Sequence, residues 1–200
     1  TQGVSSAASD VYKRQGYRYF AILSFLIGIS LFLGSALQQV ALLYTDVANA
    51  AFFTIFYVPM VPIIIFIFKR NSLHWSVWPS VILCLIGGYL LTNFYNATVR
   101  LGDTLVILGA LFWSTHIIFT GMIVAKYNLP LTIGAVQTLI VALFSFLIGS
   151  VYEEFIFENI LNEIDSILYA GILSGGLAFV LQIYAQKNIM PAPAAIISVS

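Results

Sequence analysis

Charged side chains are scarce in this sequence, and their scarcity decides the class of protein. Of the 200 residues, 8 % are Asp, Glu, Lys or Arg, whereas an ordinary soluble domain has about 25 %. Acidic and basic residues are equal in number, so there is no excess of basic charge for nucleic acid, and no nucleic-acid partner is expected. An apolar fraction of 60 % excludes a soluble globule. The composition predicts a polytopic membrane protein whose main partner is the lipid bilayer.

Groups that could carry covalent or metal chemistry are also few. Cys84 is the single cysteine and lies in an apolar run, which excludes a disulfide framework or a cysteine metal site and favours a small buried hydrophobe. A membrane-embedded enzyme would need a nucleophile and a base, or metal ligands, on facing helices. His74 falls in a predicted loop and His116 near mid-span, with no carboxylate at similar depth. We therefore expect no catalytic residue, metal or cofactor here.

The two ends of the sequence differ from its middle. Residues 1–16 are small and polar and contain no apolar signal-peptide core, and the string VSSAASDVYKRQ is typical of translated adapter sequence. We expect a non-native or disordered leader there. The other end, Ser200, lies within an apolar run. Both ends predict a fragment of a longer protein.

Long charge-free runs fill the rest of the chain. About 20 apolar residues are needed for a helix to cross a bilayer, and only a helix can satisfy its backbone there without a closed barrel. The run lengths and the lack of alternation exclude strands, so the prediction is all-α, with six complete spans and part of a seventh. The predicted spans are Tyr19–Thr45, Val47–Phe68, Ser76–Tyr95, Thr104–Ala125, Pro130–Tyr152, Ser166–Gln186 and the start of one at Pro191–Ser200.

The few charges give a predicted orientation. If the spans alternate, Arg18, Lys69, Lys126 and Lys187 lie on one side of the membrane with the other lysines and arginines, and Arg100 alone lies opposite. By the positive-inside rule the first span starts in the cytoplasm. We expect a multi-pass protein of the cell membrane whose natural termini are both cytoplasmic.

Two stretches of the sequence are similar to each other. Ser30–Thr54, shifted by 144 positions without a gap, falls on Ser174–Ser198 and pairs Gln38 with Gln182. Five predicted spans separate the starts of the two copies, and an odd number reverses the direction of the second copy through the membrane. The pattern predicts an inverted-topology repeat, an arrangement that many secondary transporters share.

These features resemble the EamA family of the drug/metabolite transporter superfamily. The segments that carry the likeness are 36–54, 101–121, the region of Gln137, and 171–197, where AFVLQIYAQK is followed by PAPAA. The resemblance implies ten helices in two inverted five-helix halves, of which this chain would hold the third to eighth and the start of the ninth. Residues 17–100 would belong to the first repeat and 101–200 to the second. One departure is Lys69–Arg70, where many relatives have Gly-Glu-Arg.

The resemblance implies a secondary transporter, a permease or exporter of a metabolite or a drug-like molecule. Alternating access between the two repeat halves is the expected mechanism. The alternatives are a structural or assembly subunit that transports nothing and, less favoured, a membrane-embedded enzyme. A second copy of the chain, as a homodimer, is a further candidate partner.

Polar side chains within the predicted spans are the candidates for a substrate pathway. An amide facing lipid would leave its donors unpaired, so the glutamines should point inward, either into a cavity or into interhelical hydrogen bonds. Trp113, His116 and Thr120 share one helical face, which would form a cavity wall unless the histidine simply bonds a backbone carbonyl. The six candidates are Gln38, Trp113, His116, Gln137, Gln182 and Gln186.

Proline and glycine predict two local features of the spans. Pro59 and Pro62 interrupt the hydrogen-bond ladder of the second span, which predicts a static bend or, less often, a gating kink. Gly171 and Gly175 form a G-x-x-x-G pattern, which predicts close approach of another helix within the chain.

Overall fold

The computed structural model describes residues 2–69, 75, 77–91, 100–187, 189, 191 and 193, with side chains from residue 16 onward. Within these residues every regular element is helical, which confirms the all-α polytopic class. The elements are α1 (Gln2–Ala41), α2 (Val47–Thr54), α3 (Tyr57–Lys69), α4 (Val77–Leu91), α5 (Leu101–Tyr127), α6 (Pro130–Tyr152), α7 (Phe157–Asn162), α8 (Ile164–Leu168), a π-helix (Tyr169–Ala178) and α9 (Phe179–Gln186).

Five stretches of the described chain are long and apolar enough to cross a membrane, at 16–41, 47–68, 101–127, 130–152 and 164–186. The predicted third span, Ser76–Tyr95, corresponds to α4, which has 15 described residues. The remaining residues of that predicted span lie outside the described residues. Nearly all of the predicted seventh span also lies outside them.

Helix α1 differs from its prediction at both ends. It begins at Gln2, within the residues for which a non-native or disordered leader was predicted, and the nature of that leader stays a prediction. It ends at Ala41, four residues before the predicted end. The reason is a turn in which the N–H groups of Tyr44 and Thr45 both bond the Ala41 carbonyl, at 2.8 and 3.0 Å.

The second span is broken between α2 and α3, at Ile55–Phe56. Pro59 has no N–H, so the Ile55 carbonyl cannot receive its regular helical bond. That carbonyl instead accepts from Val58 N–H at 2.9 Å, one residue earlier. The predicted bend is therefore an interruption of the helix just before the first proline, while Pro62 lies inside α3.

Helix α5 is the centre of the bundle: it packs lengthwise on α1 and also contacts α3, α2 and α9, while α6 packs mainly on α1. Glycines allow the approach of α1. A Cβ atom on Gly109 would lie 3.2 Å from the Gly34 carbonyl oxygen, and one on Gly102 would lie 2.6 Å from that of Ala41. The two backbones could not come this close with larger residues at those positions.

The last span changes helix type along its length. It begins as α8, continues as a ten-residue π-helix and ends as α9. The prediction that Gly171 and Gly175 receive another helix is wrong for the described chain. No atom of another described element lies within 4 Å of a Cβ built on Gly171, and the Cβ of Gly175 would meet only the Ala170 carbonyl of its own helix, at 3.2 Å. The wider hydrogen-bond register of the π-helix brings that carbonyl opposite Gly175.

The two ends of the bundle carry different charges. At one end Lys126 Nζ lies 3.9 Å from the centroid of the Tyr19 ring, which places the start of α1 beside the end of α5. At the other end Arg100 forms an ion pair with Asp46 at 2.8 Å. The structure thus separates Lys126 from Arg100 by the length of α5, as the alternation of the spans predicts.

Candidate functional site

A cavity of about 270 Å³ opens where α1, the broken second span, α5 and the last span meet. None of its nine described lining residues is charged, and six of the helical elements contribute to it: α1, α2, α3, α5, the π-helix and α9. The lining residues are Gln38, Thr54, Tyr57, Trp113, Ile117, Ser174, Ala178, Phe179 and Gln182.

Irregular helix geometry borders the cavity on two sides. Thr54 and Tyr57 flank the break in the second span, and the Thr54 hydroxyl donates to the Ala50 carbonyl at 2.7 Å. Ser174 and Ala178 belong to the π-helix on the other side. Broken or widened helices are tolerated at membrane depth where they are buried in protein or line a cavity. Both of these elements line the cavity, so their irregular geometry is compatible with a position within the membrane.

Two aromatic rings form one wall of the cavity. Trp113 and Phe179 are stacked, with centroids 6.1 Å apart and planes 7° from parallel. Gly34 makes room for the indole, because a Cβ atom there would lie 3.1 Å from Trp113 Nε1. The stacked pair offers a flat apolar surface to a ligand in the cavity.

Two amides provide the strongest hydrogen-bonding groups of the lining. Gln38 in α1 and Gln182 in α9 are both half-buried and both line the cavity. They come from the two segments that the 144-residue repeat pairs. Their neighbour Gln39 is exposed on the outer side of α1. The structure therefore brings the two repeat-related glutamines to one site.

A buried polar pair lies behind the aromatic wall. His116 Nε2 and Gln137 Oε1 are 3.1 Å apart, and both residues are fully buried. The His116 ring makes edge contacts with Trp113 and Phe179, at centroid distances of 6.1 and 6.0 Å. The histidine partner is thus a glutamine of α6 and not the backbone carbonyl considered from the sequence. Neither member of the pair is among the cavity-lining residues.

Gln186 is the candidate that the structure places apart. It is 3 % exposed, and its amide nitrogen and oxygen have no hydrogen-bond partner among the described residues. It does not line the cavity. Gln38, Trp113 and Gln182 line it, and His116 and Gln137 lie directly behind it. The substrate roles of all six stay predictions.

Six lining residues were missed from the sequence: Thr54, Tyr57, Ile117, Ser174, Ala178 and Phe179. A signal existed for two of them. Ser174 is a matched position of the repeat, paired with Ser30, and Phe179 lies three residues before Gln182 on the same helical face. Thr54 and Tyr57 enter the site only because the helix breaks between them.

A second polar group was also missed, at the end of the bundle that holds the Asp46–Arg100 ion pair. Asp103 lies one residue before the predicted span Thr104–Ala125, but in the structure it is in the first turn of α5 and is 1 % exposed. Its carboxylate accepts hydrogen bonds from the Thr45 hydroxyl and from the Arg100 N–H, the latter at 2.8 Å. The bond from Thr45 ties the turn after α1 to the start of α5, and the bond from Arg100 caps α5 itself.

Among the described residues, no group of three His, Cys, Asp or Glu side chains converges in a way that could hold an ion. The sites that the described residues do provide are the uncharged cavity and the buried polar pair.

Comparisons with known proteins give one family match and one curated relative. Residues 100–200 match the model of the EamA-like transporter family. A curated protein of Archaeoglobus fulgidus, named an uncharacterized transporter, is 36 % identical over 93 residues, which cover 46 % of this chain and 30 % of the relative. The chain thus spans less than a third of that relative's length. No solved structure matches this chain. The family match covers half of the sequence, and the chain belongs to the EamA-like transporter family.

Proposed function

We propose that the protein is a secondary transporter that moves a small molecule through the cavity between its first and last described spans by alternating access. Membership of a transporter family gives the general function of a membrane transporter. The observation that carries the finer proposal is the meeting of Gln38 and Gln182 at one cavity. Their segments are predicted to be inverted copies, and transporters with such repeats bind substrate where the copies meet.

The lining favours a substrate that is uncharged and partly flat. Trp113 and Phe179 offer an apolar ring surface, and the two glutamine amides offer both donors and acceptors. A bound molecule with a polar group would satisfy amides that otherwise face an apolar surrounding, where unpaired polar groups are costly. A charged substrate would find no opposite charge among the described lining residues.

Two elements are suited to the conformational change. The break at Ile55–Phe56 and the π-helix Tyr169–Ala178 lie on two sides of the cavity, and each has a hydrogen-bond register that differs from the α-helix. Small changes of register at these points would move the lining residues without unfolding a span. Helix breaks and π-segments are common at functional positions of this kind.

Transport by glutamine variants of the full-length protein tests the proposal. A panel of uncharged radiolabelled compounds such as nucleobases is offered to proteoliposomes, with zwitterionic amino acids and cationic dyes for comparison, and the uncharged compound with the highest flux is kept. Gln38→Leu and Gln182→Leu should each reduce that flux while thermal stability stays nearly unchanged. Loss of a packing bond alone would instead lower stability by roughly 0.6–2 kcal/mol.

Gln39→Leu is the matched control, since it changes the same residue type one position away on the exposed side of α1. Its flux should equal that of the unmodified protein. Equal defects in Gln38→Leu and Gln39→Leu would contradict the proposal. So would full flux in both cavity variants, which would favour the alternative of a subunit that does not use this cavity for transport.

We also propose that the Lys126 end of the bundle is cytoplasmic in the cell membrane. Lys126 and Lys187 both follow spans that end on that side, and positive charge is retained in the cytoplasm. Single cysteines at Leu129 and Asn159, in a Cys84→Ser background, are offered an impermeant maleimide outside intact cells. Asn159→Cys should react and Leu129→Cys should not, and the reverse pattern would overturn the orientation.

A further inference from the structure

Three buried polar atoms behind the aromatic wall have unused hydrogen-bonding capacity. His116 Nδ1, Thr120 Oγ1 and Gln137 Nε2 are enclosed, and none has a partner among the described residues. All three side chains are fully buried. His116 and Thr120 lie one turn apart on α5, and Gln137 joins them from α6 through its 3.1 Å bond to His116. The atoms therefore form one group on two facing helices.

The chemistry of the group follows from the bond that it already makes. Because Gln137 Oε1 accepts, His116 Nε2 carries the hydrogen and Nδ1 is left as an acceptor. The Gln137 amide nitrogen has two hydrogens to donate, and the Thr120 hydroxyl can donate or accept. Buried polar groups in proteins are nearly always paired. The group thus offers donors and an acceptor to an uncharged ligand with a hydroxyl or amide.

The aromatic wall separates this group from the cavity. Trp113 and Phe179 line the cavity and also touch the His116 ring. Phe179 is the first residue of α9 and directly follows the π-helix. A shift of one residue in the register of that π-helix would carry Phe179 about 100° around the helix axis. Such a shift would open the stacked pair and join the two sites.

We propose that His116, Thr120 and Gln137 form an inner binding site for the uncharged hydrogen-bonding group of the transported molecule, closed from the cavity by the Trp113–Phe179 pair. The inference rests on the proposed function, since it gives the substrate a second station on its way through the protein. It adds a gate at a defined pair of residues, and that gate is testable without any substrate.

The gate is tested by cysteine reactivity in the full-length protein. Thr120→Cys in a Cys84→Ser background is treated with methyl methanethiosulfonate, a small uncharged reagent, and the modified fraction is followed by intact mass spectrometry. The buried thiol should react slowly. Adding Phe179→Ala should raise the rate about tenfold, because it removes one ring of the stacked pair. An unchanged rate would overturn the gate.

Two matched controls separate opening of the gate from general loosening. Ile123→Cys is fully buried on the same helix, in an apolar cluster, and its rate should not change with Phe179→Ala. Phe144→Ala removes a ring that contacts Phe32 in a tilted arrangement in another part of the bundle, with centroids 5.5 Å apart, and it should leave the Thr120→Cys rate unchanged. A rise in either control equal to that of the test would also overturn the gate.

The inner site itself is tested by flux of the panel compound. Thr120→Val keeps the shape and removes the hydroxyl, and it should lower flux roughly three- to tenfold. Ile123→Val is the control and should not lower it. Full flux in Thr120→Val, together with lost flux in Gln182→Leu, would reject the inner site and leave the cavity as the transport site. Full flux in both variants would reject the proposed function itself.

Discussion

Helix α5 and the last span, Ile164–Gln186, are equally apolar, but α5 is much more buried within the described structure than the last span is. Their most apolar 18-residue stretches have the same mean hydropathy, but 56 % of that stretch is buried within the described structure in α5 and none of it in the last span. Glycine content alone does not account for the difference, because both helices contain glycines. Glycines of α5 meet other helices, whereas Gly171 meets none of the described elements. In a membrane, apolar composition decides that a helix crosses, and the few other residues decide what it contacts.

The largest expected effect comes from filling a glycine in each helix. Gly102→Leu places side-chain atoms against the backbone of Ala41 and Thr45, which lie 2.6–2.8 Å from a Cβ there, and should lower stability by about 3 kcal/mol. Gly171→Leu meets open space and should change stability by less than about 0.5 kcal/mol. Denaturant unfolding of the full-length protein in detergent micelles measures both. Equal losses would remove the contrast between the helices.

A smaller loss of stability should follow from removing the acidic residue in the first turn of each of these two spans. Asp103→Ala leaves the Thr45 hydroxyl and the Arg100 N–H without their acceptor, which should cost about 2 kcal/mol. Asp165 is exposed in the first turn of α8, so Asp165→Ala should stay within about 0.5 kcal/mol. The same unfolding assay measures both variants. If Asp103→Ala left the free energy of unfolding unchanged, the end of α1 would be held to α5 by packing alone.

The sequence predicts the spans best where their ends are marked by local chemistry. Helix α6 has its predicted bounds, because Pro130 fits the first turn of a helix and Glu153 ends the charge-free run. Helix α5 is longer than predicted because its first turn includes Asp103, a charge that is acceptable there only through its bonds to Thr45 and Arg100. The bond to Thr45 joins residues 58 positions apart and is not visible locally, whereas the bond to Arg100 belongs to a local capping box.

The candidate site shows the same limit. The repeat and the cost of an unpaired amide predicted that Gln38 and Gln182 point inward, and the structure places both at the cavity. The π-helix was not predicted, since side-chain periodicity over ten residues does not reveal a change of hydrogen-bond register. Ser174 and Phe179 were missing from the predicted set although the repeat and the helical face pointed to them. Gln186, one turn beyond Gln182 in α9, is buried away from the cavity.

Protection of a cavity residue by substrate tests the central claim most directly. Ser174 and its neighbour Leu173 are both exposed, but only Ser174 lines the cavity. Each is replaced by cysteine in the Cys84→Ser full-length protein and labelled with methyl methanethiosulfonate, with or without the panel compound. At about ten times its half-saturating concentration, the compound should slow labelling of Ser174→Cys roughly tenfold and leave Leu173→Cys unchanged. Equal rates at Ser174→Cys with and without a compound that is transported would contradict the account.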